Sequence, residues 1–298
     1  MAEHTPPAPA PSTIRNHRAL IVDSGAELNE LLSGMFEHEK WQVDVAANNE
    51  DALEKAKAQA YDLIVTGIHT SGREDVEFLR RLRMVRPRTR VIILTDEFTT
   101  GDVLAAIRER AFSYFSRPFS TEKMAEMIRI AMTEAYWSDG IEVLTATPNW
   151  VRLCVRCDLP TANRLVQFYR EASGLPDAET EEVAAAFREI LVNAMEHGAG
   201  FDPSQHVEVS YVRTRHMVLC RVRDPGQGFS LEELQHSALG NPGDDPFKHM
   251  ETREAQGKRP GGFGILMAKR LVDDLIYSEQ GNDVLLVKYL HKPAAAQA

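Results

Sequence analysis

The chain predicts two α/β units in tandem: a doubly wound, parallel five-stranded sheet, then an α+β sandwich. Three observations carry this. The 298 residues exceed a typical domain of roughly 100–200 residues, so two cores are expected. Up to about residue 135, short β-branched runs alternate with amphipathic stretches, which is the pattern of strands each followed by a crossover helix. Beyond residue 150 the strands instead fall in adjacent pairs around the hairpin-like turns Arg213-Thr214-Arg215-His216 and Gln280-Gly281-Asn282-Asp283, with helices beside them.

Taken in order, residues 1–14 are Pro- and Ala-rich with little to bury and are expected as a disordered leader. The first unit, 15–135, reads as strands at 19–22, 43–46, 63–66, 91–94 and 113–116, with helices over 26–38, 49–59, 73–85, 100–110 and 121–135. The right-handed crossover rule leaves few topologies for such an alternation. Residues 136–149 pass through Ser138-Asp139-Gly140 and Thr147-Pro148 and are expected as a linker. The second unit, 150–292, reads as a strand at 150–157, helices at 161–172 and 179–198, strands at 206–213 and 216–223, a long irregular stretch, a helix at 263–274 and strands at 275–280 and 283–290. Residues 293–298 are expected as a disordered tail.

Composition narrows the function classes. With 34 basic and 44 acidic residues the net charge is −10, which repels phosphate backbones and argues against direct nucleic-acid binding. The longest apolar runs, such as Ala19-Leu20-Ile21-Val22 and Val91-Ile92-Ile93-Leu94, fall far short of the roughly 18 residues of a membrane span, and the N-terminus lacks the pattern of a secretory signal. A cytoplasmic protein without a membrane partner is expected. Three cysteines make no disulfide framework. Cys154 and Cys157 lie three apart in a strand-like stretch, pointing to opposite faces, and read as packing thiols.

The first unit carries Leu20-Ile21-Val22-Asp23, Tyr61-Asp62-Leu63-Ile64-Val65, Val91-Ile92-Ile93-Leu94-Thr95 and Phe115-Ser116-Arg117-Pro118-Phe119. Over nearly its whole length it resembles the receiver domain of bacterial response regulators. The resemblance implies a site of an acidic pair, a phosphoacceptor aspartate after the third strand, a Thr or Ser after the fourth, and a lysine before the proline after the fifth. Here the acidic pair is reduced to Asp23 followed by Ser24, Gly67 stands at the phosphoacceptor position, Thr95 remains, and Arg117 replaces the lysine. Glycine offers no nucleophile, and guanidinium keeps the charge without the compact ammonium geometry. A pseudo-receiver is expected, serving assembly or partner control rather than phosphorylation. Asp23 reads as a loop carboxylate or helix cap.

Three pieces carry chemistry in the second unit. In Phe187-Arg188-Glu189-Ile190-Leu191-Val192-Asn193-Ala194-Met195-Glu196-His197-Gly198, Glu189, Asn193 and His197 recur every four residues, along one stripe of a helix. Asp224-Pro225-Gly226-Gln227-Gly228 follows a strand, supplying an acceptor for an exocyclic amine and glycines that permit close approach. Gly261-Gly262-Phe263-Gly264 opens a helix, whose N-terminal amides favour phosphate. Each alone reads equally as a solvated face or a tight turn. In this order they resemble the GHKL (Bergerat) ATP-binding fold, and within it most closely the bacterial anti-sigma-factor serine/threonine kinases.

That resemblance implies ATP and Mg²⁺ as cofactors. Asn193 would hold the Mg²⁺, Glu189 would be the catalytic base, Asp224 would read adenine with Gly226 and Gly228, and Gly261, Gly262 and Gly264 would close over the phosphates. His197 reads either as a contact to the nucleotide or as a cation at a helix end. Residues 230–260, with Lys248, Arg253, Lys258 and Arg259, would form the lid. The implied activity is phosphorylation of Ser or Thr on an anti-anti-sigma (STAS-type) partner, with a sigma factor as the alternative partner and a homodimer as the assembly. Two alternatives stand beside it: a non-catalytic, nucleotide-gated switch that sequesters a partner, and a soluble histidine kinase acting in trans.

Overall fold

The computed structural model describes residues 17–22, 25–133, 140–147, 149–228 and 264–290. The first unit forms β1 (Arg18–Val22), α1 (Gly25–His38), β2 (Gln42–Ala46), α2 (Asn49–Ala58), β3 (Leu63–Val65), α3 (Gly72–Val85), β4 (Arg90–Thr95), α4 (Thr100–Arg108), β5 (Ser113–Ser116) and α5 (Thr121–Thr133). Every residue of β3 and β4 is buried, as parallel strands covered on both faces by helices must be. The strands pair in the order β2-β1-β3-β4-β5, and all four ladders are parallel. The helices start where side chains can cap them: Ser71 and Glu74 make a reciprocal capping box on α3, and Thr99 and Asp102 make another on α4, satisfying amides the first turn would orphan.

The second unit forms β6 (Ile141–Thr147), β7 (Trp150–Arg156), α6 (Leu159–Ser173), α7 (Asp177–Asn193), β8 (His206–Arg213), β9 (Met217–Arg223), α8 (Gly264–Leu271), β10 (Asp274–Tyr277) and β11 (Asp283–Tyr289). One antiparallel sheet results, ordered β10-β11-β9-β8-β7-β6. Residues 136–149, expected as a linker, therefore need correction: 141–147 are the edge strand of this sheet, with Ile141 opposite Val155 and Thr147 opposite Trp150. Ile141 alone of that strand is buried, and the apolar Leu144 lies on the exposed side, so little apolar alternation marks it. The helix expected to reach residue 274 stops at Leu271. Among the described residues, no helix is long and apolar enough to cross a membrane.

The two units share a core. Leu104, Ile107 and Tyr114 of the first belong to the same buried cluster as Leu165, Phe168 and Tyr169 of α6 and Phe187 of α7. Helix α6 lies against β5 and α4, joining the sheet of the first unit to α7 of the second. The leader (1–14), the tail (293–298), Asp23, Gly261, Gly262 and the residues 230–260 expected as a lid lie outside the described residues.

Candidate functional site

Helix α7 brings Glu189 and Asn193 to one end of the antiparallel sheet, and the backbone changes character just after them. Residues Ala194–Gly198 form a π-helical turn, wider than an α turn, and such turns recur at functional sites. The expectation of one α-helix over 179–198, with Glu189, Asn193 and His197 in a single stripe, is corrected at its third member. The wider turn takes His197 off the four-residue repeat, and its side chain is exposed. Phe201 N–H closes the turn by donating to Met195 O at 2.8 Å.

The turn delivers Gly198 to Asp224. A Cβ on Gly198 would overlap the Asp224 carboxylate, and one on Gly226 would lie 2.8 Å from Asp224 Oδ1 and 2.8 Å from Gly198 Cα. Both glycines are thus required by close approach. Gly226 N–H donates to Asp224 Oδ1 at 2.9 Å, and burial nonetheless pushes the Asp224 carboxyl above its ordinary range, against that bond. Sequence reasoning missed Gly198, and also the support from the far side. In the β10–β11 turn, Asn282 O accepts from Asp224 N–H at 3.0 Å, and Asn282 Nδ2 donates to Gly226 O at 3.1 Å. Gly228 has φ +78 and lies so close to Gln280 O that a side chain would collide with it. The turn-forming Gly281-Asn282 was legible; its contact with Gly226 was not.

Helix α8 closes the third side. A Cβ on Gly264 would lie 2.6 Å from Glu189 Oε2 and 3.7 Å from Asn193 Nδ2. Glu189, Asn193 and the start of α8 therefore converge without an intervening side chain, while Asp224, Gly226 and Gly198 make a second cluster at the end of the same helix. A carboxylate and a carboxamide beside a glycine-opened helix suit a phosphate-bound divalent cation, since both supply the oxygen ligands that Mg²⁺ takes. The Arg188 guanidinium lies 3.9 Å from Glu189 Oε1 and donates through Nε to Asn163 Oδ1 of α6 at 3.3 Å. No sequence signal set Arg188 apart from any other helix-surface cation.

In the first unit, Gly67 follows β3 and is buried, and Thr95 ends β4. Thr95 Oγ1 lies 2.8 Å from Thr70 O and 2.9 Å from Glu97 O, so backbone carbonyls take its proton. Arg117 is half-exposed, with Nε 3.4 Å from Asp96 Oδ1. Sequence reasoning missed Asp75, which is fully buried. It accepts from Asn49 Nδ2 at 3.0 Å and from Thr70 Oγ1 at 2.8 Å, and burial outweighs those bonds and pushes it up to about 7. The Cys157 thiol is pushed up to about 11, first by burial, which makes it a poor thiolate at neutral pH.

Fold and site define a receiver-type domain joined to an ATPase-type domain. A response regulator receiver domain is matched over residues 19–129 and a histidine kinase-like ATPase domain over 156–288. The chain thus carries one of each, and the second implies ATP binding. Among curated relatives, the response regulator ArlR of Staphylococcus aureus is 30% identical over 124 residues, covering 42% of this chain and 56% of ArlR. The chain spans about half the length of the curated relatives it matches. Among solved structures, the beryllofluoride-activated NtrC4 receiver domain dimer is 26% identical, with a TM-score of 0.35, over 38% of this chain and 94% of that one. A CheY-like receiver from Methanospirillum hungatei is 23% identical with a TM-score of 0.35, over 38% of this chain and 90% of that one.

Proposed function

We propose that this chain is a signalling regulator that binds Mg-ATP and phosphorylates a Ser or Thr hydroxyl of an anti-anti-sigma (STAS-type) protein. The observation that carries this reading is the convergence of Glu189, Asn193 and Gly264 at one end of α7, beside the Asp224–Gly198–Gly226 cluster. Asp224 accepts a hydrogen bond from the exocyclic amine of adenine, with Gly226 and Gly228 lining its pocket. Asn193 would hold the Mg²⁺, which would neutralise phosphate charge. Glu189 accepts the proton of the attacking hydroxyl as its oxygen bonds to the γ-phosphorus and ADP departs with the bridging oxygen. Gly261 and Gly262 belong in the sequence to the same glycine group as Gly264, whose helix N-terminal amides favour phosphate. The receiver-type domain takes no phosphoryl group at residue 67 and serves assembly or partner control; a homodimer, a sigma factor as the alternative partner and a cytoplasmic setting belong to the same reading.

The test is a transfer assay from ATP to candidate STAS-domain proteins with wild type and Glu189→Ala. Acid-stable phosphoserine or phosphothreonine in wild type, falling by about 10²–10⁴-fold in the variant with nucleotide affinity kept, is expected. An acid-labile product contradicts serine/threonine specificity. Mg-ATP binding with no transfer to any partner contradicts the kinase and leaves the nucleotide-gated switch.

A further inference from the structure

Helices α6, α7 and α8 pack on one face of the six-stranded antiparallel sheet, where Leu153, Val209, Val222 and Leu286 join the buried cluster. Successive strand residues point to opposite faces, so the pairing registers fix what the other face carries. There Trp150 of β7 lies beside Val212 of β8, Val212 beside Leu219 of β9, and Leu219 beside Val287 of β11. Four neighbouring strands thus present an apolar row outward, where an antiparallel sheet facing water ordinarily presents polar side chains. None of the four belongs to a buried cluster, and Trp150 is 43% exposed. Ile276 of β10 and Tyr289 of β11 are exposed beside them. A contiguous apolar patch of this kind marks an interaction surface.

Four residues further along the same strands the face is charged. Glu208 of β8 stands in register with Arg223 of β9, and Arg223 with Asp283 of β11. Glu208 and Arg223 are exposed, and Arg223 has no ion-pair partner among the described residues. Arg152 lies 3.9 Å from Glu208, and Arg221 Nε donates to Asp283 Oδ1 at 2.8 Å. Opposite charges therefore alternate across the strands, and the acidic excess behind the chain's net charge of −10 is not concentrated here.

We propose that this outward face is the interface of a homodimer, two copies packing sheet against sheet about a two-fold axis that runs along the strands midway between β8 and β9. That line is the middle of the order β10-β11-β9-β8-β7-β6. Such an axis keeps each residue at its own level and sets β8 over the copy's β9 and β7 over its β11. Val212 then meets the copy's Leu219, Trp150 its Val287 and Glu208 its Arg223, each contact occurring twice. An axis across the strands would instead set the apolar row against the charged one, desolvating charges without pairing them. Six strands about 4.8 Å apart, with seven-residue strands rising about 3.3 Å per residue, make a face of about 24 by 23 Å. That is of the order of the roughly 800 Å² each partner buries in a stable dimer. Helix α7 lies on the opposite face, so Glu189 and Asn193 of each copy stay clear of the contact. The surface rests on the homodimer of the proposed reading and not on its kinase chemistry.

Sedimentation equilibrium of the full chain tests the face. Wild type is expected as a dimer, and Glu208→Arg and Arg223→Glu, each alone, should raise its dissociation constant about a hundredfold or more by setting like charges together. Mixed, the two variants should form a heterodimer of near wild-type affinity, because opposite charges then meet at both contacts. A role for these residues only within their own sheet predicts no such rescue. Trp150→Gln should weaken the dimer as well, and it decides the matter should a charge variant not fold. A monomeric wild type overturns the face together with the homodimer. A dimer that persists in the charge variants, fails to reassemble from their mixture, or is indifferent to Trp150→Gln overturns the face alone.

Discussion

Asp224 is held from both sides, by Gly226 N–H on its side chain and by Asn282 O on its own amide. On the proposed reading, replacing Asp224 with Ala removes the acceptor for the adenine amine, worth about 1.5–3 kcal/mol when one partner is charged. ATP affinity measured by calorimetry should therefore fall about 10–100-fold while the circular dichroism of the fold is kept. Gly198→Ala, whose Cβ overlaps the same carboxylate, should have an effect in the same direction. Asp75 makes the opposite kind of residue-scale prediction, about stability. Its carboxyl, raised to about 7, costs folding free energy progressively as pH rises from about 4 through 7. Asp75→Asn keeps an acceptor for Asn49 and offers its Nδ2 to Thr70 Oγ1, whose own proton can go to Gly67 O at 2.8 Å, so urea titrations should show it stabilised by roughly a few kcal/mol at pH 8 relative to wild type and less at pH 5. Neither role was legible beforehand. Asp224 was visible by its flanking glycines, but Gly198 becomes important only when a π turn carries it across, and Asp75 reads like any acidic residue in the first turn of a helix.

Among the elements, β1 to β5 were legible because buried parallel strands are short, continuous apolar runs, as in Val91-Ile92-Ile93-Leu94. Strand β6 was not. It is an edge strand whose apolar Leu144 is exposed beside a register shift between Val143 and Thr145, so its apolar residues do not alternate cleanly in the sequence, and Ser138-Asp139-Gly140 before it reads as a break. Helix α6 was expected, but what its polar stripe covers was not legible. Arg164 and Gln167 look like a solvated stripe, yet both are buried against β5, because an edge strand in another domain needs their donors. The apolar side of α6 carries Phe168, which is 1% exposed and belongs to the cluster shared by the two domains. Phe168→Ala should cost about 3–5 kcal/mol, and because that core is common, thermal unfolding should show both domains destabilised together. Loss of only one transition would contradict a shared core.

For the whole molecule, the continuous core and the side-chain cover on β5 explain how a receiver-type domain without a phosphoacceptor at residue 67 still contributes. Its sheet edge is the seat of α6, and α6 holds Arg188 through Asn163 beside Glu189. Acetyl phosphate should accordingly leave no acid-labile label on residues 15–135, read by intact-mass spectrometry. The central claim is that the ends of α7, β9 and α8 make one nucleotide site. Calorimetric titration with ATP, with and without Mg²⁺, on wild type and Asn193→Ala tests it most directly. Magnesium-dependent binding by wild type that is lost in Asn193→Ala is the predicted result; wild type that binds no nucleotide, or binds it equally well with Asn193 replaced, would contradict it.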